Sequence, residues 1–106
     1  MFWFLRKPSG KQTKTIGTTT AACDALDIQG FAGGVVTVTS GITILTFYGA
    51  HTEDETFLPL KDKDNNPVTL TVSSTQMTQL PPEIYDVPFA KTVANASGIA
   101  YFSLKS

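Results

Sequence analysis

The chain reads as an all-β protein, an antiparallel β-sandwich of jelly-roll type with an extended N-terminal arm. Three observations carry that reading. Thr, Val and Ile recur in short alternating runs, and branched side chains suit a pleated surface. Gly, Pro and Asn turn signals separate these runs roughly every 8–12 residues, the spacing of sandwiches and jelly rolls. No apolar stripe repeats with the 3.6-residue period of a helix.

The elements follow in chain order. Residues 1–14 form the arm, and residues 15–106 the sandwich. A linker near residues 8–14 holds Pro, Ser, Gly and Lys with no apolar residue. "KTIGTTTAA" (14–22) is polar and reads as an edge strand. "ALDIQGFA" (25–32) sets Leu26 and Ile28 against Asp27 and Gln29, and Gly33–Gly34 marks a turn. "VVTVTS" (35–40) places Val36 and Val38 on one face. In "ITILTFYGA" (42–50), Ile42, Ile44 and Tyr48 face one way and Thr43, Leu45 and Phe47 the other. Apolar groups on both faces mark a central strand, or one whose second face is covered.

"HTEDE" (51–55) is a polar loop. In "TFLPL" (56–60), Pro59 lacks a ladder donor and so confines the strand to an edge or breaks it. "KDKDNNP" (61–67) is a turn whose Asn and Asp tolerate left-handed backbone. "VTLTV" (68–72) turns Val68, Leu70 and Val72 inward. "STQMTQL" (74–80) fits no single element, and "PPEIYDVP" (81–88) is irregular or one helical turn bounded by prolines. "FAKTVA" (89–94), the turn "NASG" (95–98) and "IAYFSL" (99–104) read as a closing hairpin.

At 106 residues the chain is one domain. Its net charge of −1 covers an asymmetry: residues 1–22 carry Arg6, Lys7, Lys11 and Lys14 and no acid, while the rest carries four lysines against nine acids. A basic tail on an acidic body favours head-to-tail or tail-to-neighbour contacts. Cys23 is the sole cysteine, so no intramolecular disulfide forms, and a small β-domain without one points to synthesis in a reducing cytoplasm. The N-terminal apolar run is four residues, is followed by its cations and is interrupted by Pro8. It therefore reads neither as a secretory signal nor as a membrane span, and no membrane partner is expected.

Candidate chemistry is thin. Asp62, Asp64 and Asn66 match the opening of a calcium loop, but Pro67 stands where the turn glycine belongs and Ser73 where the closing Glu belongs. A hairpin turn accounts for the same residues. Glu53, Asp54 and Glu55 repel and stay solvated on a loop. His51 is the only histidine, and with one Cys it does not make a zinc site. Cys23 with His51 is the one conceivable nucleophile pair, against a Cys that simply packs as a small hydrophobe. Asn95–Ser97 fits a glycosylation pattern and equally a hairpin turn. No enzymatic activity, metal or cofactor is expected.

The arm is the more telling feature. Burying Phe2, Trp3, Phe4 and Leu5 removes about 700 Å² of mainly apolar surface, at most about 17 kcal/mol. Ordering the tip costs on the order of 20 kcal/mol at about 1.5 per residue. Such an arm holds only against a preformed groove, so Phe2, Trp3, Phe4, Leu5, Arg6 and Lys7 are the candidate assembly contacts. Two placements stand open: a first strand capping its own core, or an arm tying subunits together.

The run "SGITILTFYGAHTEDETFLPLKDKDNNPVTLTV" and the close "LPPEIYDVPFAKTVANASGIAYFSLKS" resemble small virion structural proteins of tailed bacteriophages. Shared are a strand ending in the aromatic–glycine pair Tyr48–Gly49, then Phe57, Pro59, Leu60 and Asp62. A closing segment through Phe89, Lys91, Val93, Asn95 and Leu104–Ser106 completes the pattern, which covers roughly residues 40–106. The resemblance implies a capsid cement or decoration protein, or part of a head fibre. It would be made in the host cytoplasm and located in the virion, with the major capsid protein or other virion proteins as partners and a homo-oligomeric state. Two other readings stand beside it. One is a carbohydrate-binding module using Tyr48, Tyr85 and Tyr101 on a concave face. The other is a single-strand nucleic-acid binder stacking bases on Phe2, Trp3 and Phe4, which the acidic body opposes, so nucleic acid is not expected.

Overall fold

The computed structural model describes residues 9–105; residues 1–8, and with them Phe2, Trp3, Phe4, Leu5, Arg6 and Lys7, lie outside the described residues, as does Ser106. Nine strands run in chain order: β1 Ser9–Ile16, β2 Leu26–Asp27, β3 Gly33–Val38, β4 Ile44–Ala50, β5 Leu58–Pro59, β6 Thr69–Thr71, β7 Thr78–Gln79, β8 Phe89–Ala94 and β9 Gly98–Lys105. Two short 3₁₀ turns, Thr20–Ala22 and Pro82–Asp86, complete the elements. Every strand pair is antiparallel. The first sheet has the order β1-β9-β3-β7, and the second β2-β8-β4-β5, with β6 also paired to β4. The chain is thus an all-β, sandwich-like fold.

Alternation decides which side chains meet between the sheets. From the first sheet Ile16, Val36, Val38, Ala100, Phe102 and Leu104 are buried; from the second, Leu26, Leu45, Phe47, Ala90 and Ala94. All belong to one hydrophobic cluster. Phe47 and Phe102 are fully buried, one from each sheet, and each contributes roughly 1.5–3 kcal/mol of transfer free energy. Val36 and Val38, Leu26 and Ile28, and Val68 and Val72 all point inward, as their alternation predicts. Strand β4 is central, flanked by β8 on one side and β5 and β6 on the other. Pro59 lies on the two-residue strand β5 at the sheet edge.

Several expectations need correction. Gly33–Gly34 opens strand β3 instead of marking a turn, and the strand read at 14–22 ends at Ile16, ahead of the 3₁₀ turn Thr20–Ala22. Residues 9–14 are strand, not linker: β1 pairs with β9 residue for residue from Ser9↔Lys105 to Ile16↔Gly98. Its polar sequence suits a sheet edge, where one face and one side meet water. Ile42 does not share a face with Ile44. It precedes β4, just after Gly41 (φ +99°), and is buried where the chain passes between sheets, while Ile44 is exposed on the outer face. Residues 89–94 and 99–104 are not a hairpin. β8 pairs only with β2 and β4, and β9 only with β1 and β3, so the segment between them crosses from one sheet to the other.

Specific bonds hold that crossing. The Asn95 carboxamide accepts from the N–H groups of Thr43 (3.0 Å) and Ile44 (3.3 Å), and donates to Thr43 Oγ1 (2.9 Å). Ala94 N–H donates to Gly17 O (2.8 Å), and Ile99 N–H to Thr39 Oγ1 (3.0 Å). Gly98 is required by close approach, because a Cβ there would run into Thr39 Oγ1 and Ile42. At the opposite end, the Gln12 carboxamide donates to Asp27 O (2.9 Å) and accepts from Asp27 N–H (3.2 Å), joining the edge strands of the two sheets.

Candidate assembly surface

Two of the chemical candidates take ordinary structural roles. Asp62 Oδ1 accepts from the N–H groups of Asp64 and Asn66, both at 2.9 Å, and Asn65 adopts φ 65°. That oxygen organises the 61–67 turn, which an isolated Lys61–Pro67 bridge closes. Among the described residues, no group of three His, Cys, Asp or Glu gathers to hold a metal. Asn95 sits in the glycosylation pattern with its amide nitrogen engaged by Thr43.

Cys23 and His51 are not brought together. Cys23 is buried, and its thiol donates to Asp24 O (3.2 Å). Burial pushes the thiol pKa up, against a hydrogen bond from the Thr92 backbone and the charges of Lys14 and Lys91. His51 is exposed on the loop after β4, beside a shallow pocket of about 130 Å³ that it shares with Glu55, Leu58 and Val87. Two buried hydroxyls, Thr92 Oγ1 and Tyr85 Oη, have no hydrogen-bond partner among the described residues, and burial raises the Tyr85 pKa.

The three tyrosines do not form a platform. Tyr48 projects from the outer face of the second sheet, Tyr101 from the outer face of the first, and Tyr85 lies on the 3₁₀ turn Pro82–Asp86. A sugar stacking on all three rings together has no surface to occupy.

What the fold does present is two outer sheet faces with mixed chemistry. On the second sheet, Tyr48 lies beside Lys91 and Pro59, Thr46 beside Val93 and Thr69, and Ile44 beside Thr71. Lys91 Nζ sits 4.9 Å from the centre of the Phe57 ring, a cation–π contact. On the first sheet, one row reads Thr13–Tyr101–Thr37 and the next Lys11–Ser103–Val35–Gln79. Lys11 Nζ stands 5.5 Å from the Tyr101 ring centre. Above the second row opens a groove of about 700 Å³, lined by Lys11, Gly33, Val35, Met77, Gln79 and Lys105.

Gln12, and the bonding role of Asn95, are what sequence reasoning missed. A carboxamide that caps two backbone groups of a distant strand carries no periodic signal. No protein-family model, curated protein or solved structure matches this chain.

Proposed function

We propose that the chain is a structural virion protein, a capsid cement or decoration protein that binds the capsid surface and itself. One observation carries the reading. The strand pairs are nested, β1 with β9, β2 with β8, β3 with β7 and β4 with β5 and β6, and alternate pairs go to opposite sheets. A long folded hairpin rolled into two sheets gives that order, which supports the jelly-roll assignment, an architecture common in capsid and lectin domains. Fold alone does not give function. The outer faces add a second support: they mix hydroxyls with half-buried apolar side chains and so suit wet, hydrogen-bonded contacts over a broad area.

Residues 2–7 supply the docking arm in this reading. The described part of strand β1 runs from Ser9 to Ile16, so removal of residues 1–7 takes away no described strand residue. The test is mass spectrometry of particles purified from the source, where the chain should occur in stoichiometric amount. Co-sedimentation of the full and truncated chains with those particles then tests the arm. Full-length binding with loss in the truncated form is expected. Absence of the chain from particles overturns the proposal.

A further inference from the structure

The groove on the first sheet joins an apolar floor to a cationic rim. Val35 is half-buried and Met77 is 65% exposed, giving an apolar floor and wall, while Lys11 and Lys105 stand exposed at the rim. Gly33 contributes no side chain, and a Cβ built there meets nothing within 4 Å. The same chain carries the complementary shape and charge. Glu53, Asp54 and Glu55 are consecutive and exposed, and Leu58, three residues on, is 65% exposed.

We propose that the groove receives the acidic 51–57 loop of a second copy of this chain together with Leu58 at the start of its β5, with the carboxylates against Lys11 and Lys105 and Leu58 on Val35 and Met77. The inference rests on the self-associating structural reading above and adds the two surfaces that meet. Geometry favours a contact between copies. β3 begins at Gly33 and β4 ends at Ala50, at one end of the sandwich, because the chain reverses between them. The groove opens outward from the first sheet, whereas the loop leaves the second sheet. One subunit therefore presents groove and loop on opposite sides, and the contact is heterologous. Repetition closes a ring where the rotation permits and extends a filament where it does not. A single loop in a groove falls well below a standard interface of about 1,600 Å², so each contact is weak and gains from closure.

The test is sedimentation equilibrium of the full chain over micromolar to millimolar concentrations, at low and high salt. Wild type should associate, and less so at high salt. Lys105→Glu should weaken association about two- to fivefold, the range of an exposed ion pair converted to an equilibrium constant. Combining Lys105→Glu with Glu53→Lys should restore much of it. Gly33→Val should leave the circular dichroism unchanged, since the position has room, and yet abolish association by filling the groove. A wild type that stays monomeric throughout overturns the proposal. So does association of Gly33→Val equal to wild type, or a combined reversal that restores nothing. Particle binding is a separate readout: its failure removes the virion reading and leaves sedimentation to decide the groove.

Discussion

Replacing Gln12 with alanine should unlock one side of the sandwich. The Gln12 carboxamide spans the gap between the edge strands β1 and β2, donating to Asp27 O at 2.9 Å and accepting from Asp27 N–H at 3.2 Å. Among the described residues neither strand has a backbone neighbour on that side, since β1 and β2 end their respective sheets. Two neutral hydrogen bonds contribute about 0.5–1.5 kcal/mol each, and part burial limits the water that replaces them, so Gln12→Ala should cost about 2 kcal/mol. For a domain of this size that lowers the melting temperature by about 8–16 °C. Urea unfolding followed by circular dichroism measures the loss, with an unchanged m-value marking an effect on the native state. Gln12→Glu keeps the acceptor for Asp27 N–H but sets a carboxylate against Asp27 O, so it should recover little at neutral pH. A Gln12→Ala variant within about 0.5 kcal/mol of wild type, the range of an idle surface site, would refute the clamp.

Three further outcomes follow from the same structure. Asn95→Ala removes three bonds at the crossing between sheets and should cost about 1–2 kcal/mol in thermal melts, while Asn95→Asp, which keeps the acceptor for Thr43 and Ile44, should cost less. Thr92→Val replaces a buried, unpartnered hydroxyl by a methyl group and should stabilise the fold by about 1 kcal/mol; destabilisation in urea would show that the hydroxyl is bonded. Stability should fall in alkali. The folded pKa of Cys23 and of Tyr85 is raised by burial, so both contributions are fully present below the ordinary values of about 8.5 and 10 and are lost as pH rises through the folded ones. Stability measured against pH should therefore decline from about pH 8.5 upward, less steeply in Cys23→Ala, and an unchanged slope in that variant counts against the thiol's share.

Much of the fold was legible because alternation is a local property. Val36 and Val38, Leu26 and Ile28, and Val68 and Val72 declare their buried face by spacing alone, and Pro59 declares an edge by its missing donor. The same locality explains the misreadings. Segment 10–14 lacks apolar residues and reads as linker, yet it is strand because β9 offers it a full ladder of partners. Of the candidate site, the charge asymmetry and the exposed acidic loop were visible in sequence. The groove was not, since Lys11, Gly33, Met77 and Lys105 come from four separated segments.

By itself, then, the sequence determined that this is an antiparallel β-protein, where most strands lie and which side chains of each strand seek the core. Tertiary structure decided which sheet each strand joins. A strand with period-two alternation fits either sheet equally well, and the four residues 95–98 can turn back or cross over. The choice fell to contacts between residues far apart in the chain: Asn95 with Thr43, Ala94 with Gly17, and Gln12 with Asp27. The Ala94–Gly17 and Gln12–Asp27 bonds form only once the two sheets face each other, and Asn95 meets Thr43 only once β8 has paired with β4, so no local pattern announces them.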